Sequence, residues 1–180
     1  LAARRPVLPN HKILETTQDR LAEKDFVTGL GIATARYADV SSVASLRAGA
    51  AAIGLPAVLK TRRFGYDGKG QAIIREGDDP AAVWADLETR SAILEGFVPF
   101  EREISVIADR GADGTVECFD VTENKHGDHI LRVSHAPAAI PESLAAQARD
   151  IATRIATALN YIGVLAVEMF VVPGRDGPTL

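Results

Sequence analysis

A chain of 180 residues, 47% apolar and 24% charged, has enough apolar material for one core or a core with a small lobe, and too much for disorder. Its net charge of −4 supplies no basic field for nucleic acid, and only three tyrosines and one tryptophan could stack on bases. There is no apolar run of the roughly 18 residues a membrane span needs and no signal-peptide pattern, while the single cysteine, Cys118, rules out an internal disulfide and suits a reducing cytoplasm.

The chain starts at Leu1 without methionine and stops at "GRDGPTL" just after an apolar run. This reads as a piece of a longer protein, with residues 1–16 a linker from a preceding domain. "TTQDRLAEKDFVTGLGI" predicts a first helix, with Thr16 and Asp19 spaced as a capping box and Gly29 and Gly31 as stops. "ATARYADV" predicts a short strand. In "SSVASLRAGAAAIG", Val43, Leu46, Ala50 and Ile53 share a helical face, and Gly54 follows. "PAVLKTRRF" and "QAIIRE" are extended runs on either side of a glycine-rich loop. "DDPAAVWADLETR" predicts a helix with Asp79 as N-cap and Pro80 in its first position.

From Ala92 to about Val133 the pattern is strand-rich ("AILEGFV", "REISVIAD", "GTVECFDV", "HILRVS"), with "GADG" at 111–114 a hairpin-type turn. "PESLAAQARDIATRIATALNYIG" is the longest periodic segment. Leu144, Ala148, Ile151, Ile155, Leu159 and Ile162 recur every three or four residues between Pro141 and Gly163. The last run, "VLAVEMFVV", is an apolar strand holding one carboxylate, Glu168. Helices beside a mainly antiparallel sheet make an α+β chain, in two lobes.

Between the two extended runs lies "RRFGYDGKGQ". Asp-Gly suits the positive φ of a hairpin turn, so an ordinary turn is one reading. The other is an anion-binding loop. Gly65, Gly68 and Gly70 leave backbone N–H groups unobstructed, and Arg62, Arg63 and Lys69 add positive charge. Neither a P-loop nor a dinucleotide fingerprint fits: Gly70 follows Lys69, and Ile73 stands where the latter needs glycine. Lys60 raises a related question. Within Ala57-Val58-Leu59-Lys60 it is either an edge lysine in solvent or a buried one paired with an anion. Glu168 mirrors it, being solvent-facing or held beside a metal or other cation.

"LPAVLKTRRFGYDGKGQ", "AILEGFVPFEREISVIADRGADGTVECFDVTEN", "HILRVSHAPA" and "YIGVLAVEMFV" together resemble the ATP-grasp region of the N5-carboxyaminoimidazole ribonucleotide synthase family. The likeness runs from about Thr17 to the end, in several blocks in the family's order. It implies an ATP-grasp domain over 17–180, incomplete at its C-terminus, with about 36–98 as the smaller, lid-bearing lobe. In such enzymes ATP is held between two lobes, and a glycine-rich hairpin closes over its phosphates.

The resemblance also implies roles. Arg20 reaches toward the phosphates, Lys60 binds them, and Gly65, Tyr66, Asp67, Gly68, Lys69, Gly70 and Gln71 form the lid. Glu95, Gly96, Phe97 and Val98 form the hinge against adenine, Glu103 binds ribose hydroxyls, and His126 is a further nucleotide-site position. Glu168 is the first of two Mg²⁺ carboxylates, and Tyr66 and Asp67 hold bicarbonate-derived and imidazole substrates beside Lys60 in the catalytic set.

The implied reaction is ATP- and bicarbonate-dependent carboxylation of 5-aminoimidazole ribonucleotide through carboxyphosphate, in cytoplasmic purine biosynthesis, by a homodimeric parent with no nucleic-acid or membrane partner. Two departures stand out. Phe64 occupies a position where the family commonly has a small residue, and the family's second metal carboxylate would follow "GPTL". The isolated chain is therefore expected to be inactive. Another ATP-grasp carboxylate ligase, or an inert nucleotide-binding module, is the alternative. "HGDH" at 126–129 admits a zinc site or polar hairpin decoration.

Overall fold

Asn10 starts the first helix, α1 (His11–Thr17), by accepting the N–H groups of Lys12 and Ile13 on its side-chain oxygen at 3.0 and 3.2 Å. Residues 11–16, within the segment 1–16 read from sequence as linker, are thus helical, with Ile13 buried. The computed structural model describes residues 5, 7–65, 69–174 and 177–180. A second helix, α2 (Arg20–Gly29), has its own cap: the Asp19 carboxylate accepts from the N–H groups of Leu21 and Ala22. The one helix expected from Thr16 is therefore two, and the capping residue is Asp19 rather than Thr16.

The chain divides into two compact units. One comprises Thr16–Thr28 and Ala33–Val98; the other comprises the chain up to Glu15, Gly29–Ile32 and Pro99–Leu180. In the first, the chain runs β1 (Tyr37–Val40), α3 (Val43–Ile53), β2 (Ala57–Thr61), β3 (Gln71–Ile74), α4 (Pro80–Asp86) and β4 (Ala92–Gly96). The strands form an antiparallel sheet in the order β1-β4-β2-β3. A reciprocal capping box between Ser42 and Ser45 opens α3, and Asp79 with Pro80 opens α4.

Strand alternation sorts side chains to two faces. Val40, Ala57, Leu59, Ile74, Ala92 and Leu94 pack with Leu46 and Ile53 of α3 as one core. Each fully buried Leu or Ile in such a core stabilises by about 1.5–3 kcal/mol. Val58, Lys60, Ile93 and Glu95 take the opposite face.

The other unit is built on β5 (Arg102–Arg110), β6 (Val116–Cys118), β7 (Thr122–Gly127), β8 (Ile130–His135), α5 (Glu142–Ala158) and β9 (Gly163–Val171). β5 is central. It pairs with β9 along its whole length on one side and with β6 and β7 on the other, all antiparallel. The β5–β6 connection is the expected turn, with Gly111 N–H bonded to Thr115 O and Gly114 at φ 91°. Between β7 and β8, Asp128 and His129 are the two loop residues, both at positive φ (53° and 62°), as a primed hairpin turn requires.

Small residues let α5 lie close on the sheet: Leu144, Ala145, Ala148 and Ala152 meet Ile104, Val106, Ala108, Val121 and Val171. The helix ends at Ala158, before the expected Gly163, because Asn160 turns the chain at φ 47°. Among the described residues no helix is long and apolar enough to cross a membrane.

Candidate functional site

In the first unit Lys60 and the root of the glycine loop lie at the C-terminal end of β2, while Gly96, Phe97 and Val98 lie at or past its N-terminal end. Lys60 is on an inner strand, not an edge, and its ammonium lies 2.7 Å from a Glu95 carboxylate oxygen. The anion anticipated for a half-buried lysine is thus supplied by the protein itself. Val58 faces Glu95 across β2–β4, which sets Lys60 and Glu95 diagonally on the same face. Lys24 of α2 approaches the same carboxylate at 3.5 Å and lies 5.9 Å from the Tyr37 ring centre. Burial pushes the Glu95 carboxyl up, but the two lysines outweigh it and hold its pKa below the usual range. One carboxylate between two ammonium groups leaves a net positive charge on this face. Lys24 carries no motif; its only sequence signal is its position four residues, about one helical turn, beyond Arg20.

The hinge segment Glu95–Val98 continues from β4. Gly96 N–H donates to Arg36 O and Phe97 N–H to Pro56 O, while the N–H of Val98 has no partner among the described residues. A cavity of about 280 Å³ lies at this end of the sheet, lined by Arg36, Gly54, Pro56, Gly96, Phe97 and Val98 among others.

At the root of the glycine loop the packing is close. Arg20 donates through its backbone N–H to Arg62 O at 3.0 Å and through its guanidinium to Thr61 O at 2.9 Å and Gly65 O at 3.5 Å. A Cβ on Gly65 would stand 3.1 Å from both terminal Arg20 nitrogens, and one on Gly70 (φ 72°) would stand 2.7 Å from Thr61 Oγ1. These glycines thus have a reason beyond anion approach: the protein's own side chains fill the space beside them. Phe64 is 93% exposed at φ 64°. That left-handed backbone explains why a glycine would be expected at this position, since a bulky side chain there is strained. Tyr66, Asp67 and Gly68 lie outside the described residues; Lys69 is exposed, and Gln71 pairs with Lys60 across β2–β3.

In the second unit, Glu103, Ser105, Glu168 and Phe170 lie on the sheet face turned away from α5, with Glu103 opposite Phe170 and Ser105 opposite Glu168. Nδ1 of His126 on β7 meets a carboxylate oxygen of Glu103. Beneath them runs a polar row the sequence did not single out: Ser134 Oγ donates to Asn124 Oδ1, and Asn124 Nδ2 donates to Ser105 Oγ, each at 2.9 Å. Glu168 is exposed, and its carboxylate has no hydrogen bond or ion pair among the described residues. Phe170 stacks on Phe100, ring centres 4.4 Å apart, with both rings partly exposed. No cluster of three metal-ligating side chains occurs among the described residues.

An antiparallel four-stranded sheet with a glycine-rich connection between β2 and β3, and a second antiparallel sheet presenting Glu103 and Glu168, are the parts of an ATP-grasp fold. The ATP-grasp domain model matches residues 25–176, and the chain belongs to the ATP-grasp family. Within it, the chain is similar to the N5-carboxyaminoimidazole ribonucleotide synthase of Pseudomonas aeruginosa: 47% identical over 169 residues, covering 94% of this chain and 46% of that protein. It also superimposes on the N5-carboxyaminoimidazole ribonucleotide synthetase of Thermus thermophilus (TM-score 0.89, 43% identity, 99% of this chain and 48% of that one). A third likeness is to the N5-carboxyaminoimidazole synthetase of Staphylococcus aureus complexed with ADP (TM-score 0.82, 29% identity, 88% and 42%). The chain spans less than half the length of each of these relatives. The α+β architecture with antiparallel sheets and flanking helices, and the family expected from the sequence, are both borne out.

Proposed function

We propose that this chain supplies the ATP-holding part of a ligase that carboxylates 5-aminoimidazole ribonucleotide at the expense of ATP and bicarbonate, in purine biosynthesis. The observation that carries the reading is the positive face formed by Lys60 and Lys24 around a single carboxylate, Glu95, beside the Arg20-braced root of a glycine loop. That face is built to take an anion. The resemblance to named synthases directs the choice of ATP and of the aminoimidazole substrate.

In this reading Lys60, with Arg20 and Lys69, offsets phosphate charge, and Gly65 through Gln71 close over the phosphates. The unpartnered N–H of Val98 is the hydrogen-bond donor available to adenine in the segment Glu95 to Val98. Glu103 takes the ribose hydroxyls and His126 orients Glu103. Tyr66 and Asp67 are assigned to the carboxylation substrates.

Glu168 fits one ligand position of Mg²⁺, a hard cation usually held by one or two carboxylates together with substrate phosphates. When bound, Mg²⁺ would neutralise charge on the phosphate oxygens. Bicarbonate oxygen attacks the γ-phosphorus, ADP leaves, and the resulting carboxyphosphate delivers its carboxyl to the substrate amine with release of phosphate. The chain's contribution is positioning, charge neutralisation and exclusion of water. A cytoplasmic, homodimeric enzyme is part of the proposal.

The test is ADP release by the full-length protein with 5-aminoimidazole ribonucleotide and bicarbonate. Turnover should require both and fall at least 100-fold in Lys60→Ala. Equal turnover with a different amine or acid would favour another ATP-grasp ligase. Wild-type kinetics in Lys60→Ala would remove Lys60 from the site.

A further inference from the structure

Asp19 is among the most buried charged residues described here, at 5% exposure, yet it holds no place in the reading above. Its two carboxylate oxygens gather donors from two separate stretches of chain. Oδ1 accepts from the N–H of Leu21 and Ala22, closing the first turn of α2, and from Arg62 Nε at 2.9 Å. Oδ2 accepts from a terminal nitrogen of Arg62 at 2.8 Å and from Arg63 Nε at 3.2 Å. The Arg62 contact is the paired, two-oxygen kind that fixes geometry as well as charge. Asp39 adds a longer contact to Arg62 at 3.4 Å.

The residue after Asp19 is Arg20, the first of α2, and the residues before Gly65 are Arg62, Arg63 and Phe64. Along the chain this carboxylate is therefore one residue from the phosphate-directed arginine, and through Arg63, which it binds, two residues from the loop's first glycine. Arg20 is held at both ends by the same segment, its N–H on Arg62 O and its guanidinium on Thr61 O. Those contacts leave N–H groups of the guanidinium over for a ligand, since an arginine has five. A guanidinium on a flexible stem loses most of its worth in binding unless its geometry is fixed beforehand.

We propose that Asp19 is a positioning residue of the nucleotide site: its buried carboxylate clamps the start of α2 to the root of the glycine loop, and so fixes Arg20 for the phosphates. This rests on the nucleotide reading above and adds a residue that touches no substrate. It also divides the loop's labour, since Arg62 and Arg63 serve the clamp.

Asp19→Asn keeps a side-chain oxygen to cap α2 but removes the charge that holds Arg62 and Arg63. Two readouts are needed on the full-length protein. Amide hydrogen exchange, without nucleotide, should quicken at least tenfold at Arg20, while Leu46 and Leu94 in the neighbouring core stay unchanged. The KM for ATP should rise about tenfold with kcat within about twofold, and this rise should vanish in an Arg20→Ala background, because both changes remove the same contact.

Unchanged exchange at Arg20 overturns the clamp whatever the ligand proves to be. Faster exchange with an unaltered KM, where Arg20→Ala alone raises it, overturns the positioning role. An ATP KM indifferent to Arg20→Ala and to Lys60→Ala overturns the nucleotide reading, and the positioning role with it. Should Asp19→Asn fail to fold, Arg62→Gln with Arg63→Gln leaves the cap intact and takes the same two measurements with the same expected outcomes.

Discussion

Gly70→Ala is the substitution that most sharply separates the packing role of the loop glycines from their proposed role toward anions. Gly70 sits at φ 72°, where an alanine costs about 1–2 kcal/mol in backbone strain. Its new Cβ would also stand 2.7 Å from Thr61 Oγ1 and 3.1 Å from Thr61 Cγ2. Retreat is blocked because Thr61 N–H is bonded to Gly70 O at 2.8 Å, so the two residues cannot move apart without losing that bond. Overpacking of this kind adds about 1–3 kcal/mol. The total expected loss is about 2–5 kcal/mol.

Thr61→Ala isolates the two terms. It removes both clashing atoms and leaves Thr61 Cβ, 3.5 Å away, in ordinary contact. Thr61 Oγ1 is buried without a hydrogen-bond partner, so deleting it should by itself change stability by less than about 1 kcal/mol. In the Thr61→Ala background, Gly70→Ala should cost only the strain of about 1–2 kcal/mol. Urea unfolding midpoints of the four proteins provide the cycle. An identical cost in both backgrounds would refute the steric argument.

Phe64→Gly should leave stability unchanged or raise it by up to about 1 kcal/mol, because relief of a left-handed φ on a 93% exposed side chain outweighs the flexibility glycine adds to the unfolded chain. A loss above about 1 kcal/mol in thermal unfolding would show that Phe64 makes a contact that matters. For Asp19, burial raises the carboxyl pKa, but hydrogen bonds from Arg62, Ala22 and Arg63 prevail and bring it down to about 2 from 3.8. A carboxyl depressed on folding stabilises above its unfolded pKa, so about 2 kcal/mol should be present at pH 7 and lost as pH falls from about 4 through 2. Unfolding midpoints of wild type and Asp19→Asn should therefore converge over that range, and a constant gap down to pH 2 would contradict the assignment.

What could be read from sequence was whatever is local or periodic. The spacing of Leu46 and Ile53 announces α3, Asp79 with Pro80 announces α4, and Leu144, Ala148 and Ile155 mark part of the buried face of α5, whose other buried positions are Ala145, Ala152 and Ala156. The polar strand β7 had no such pattern, since "TENKHG" gives its carboxylate, amide and imidazole to hydrogen bonds across the sheet instead of apolar contact. Lys60, Gly65 and Gly70 stood out by residue type and Glu95 by the family resemblance, but their partners did not. That Lys60 meets Glu95, 35 residues away, and that Asp19 meets Arg62, 43 residues away, depends on which strands pair and where α2 docks. Lys24 beside Glu95 in one unit, and Asn124 and Phe170 beside Glu103 and Ser105 in the other, went unread for the same reason: sheet register and helix placement, not motif, bring them there.

The central claim is that this ATP-grasp chain serves a carboxylation in which bicarbonate attacks the γ-phosphorus of ATP. Turnover of the full-length protein with ¹⁸O-labelled bicarbonate, ATP and 5-aminoimidazole ribonucleotide, followed by mass analysis of the phosphate released, tests it directly. One labelled oxygen per phosphate is the predicted result, because the bridging oxygen of carboxyphosphate stays on phosphorus. Phosphate free of label, formed in step with product, would contradict the account.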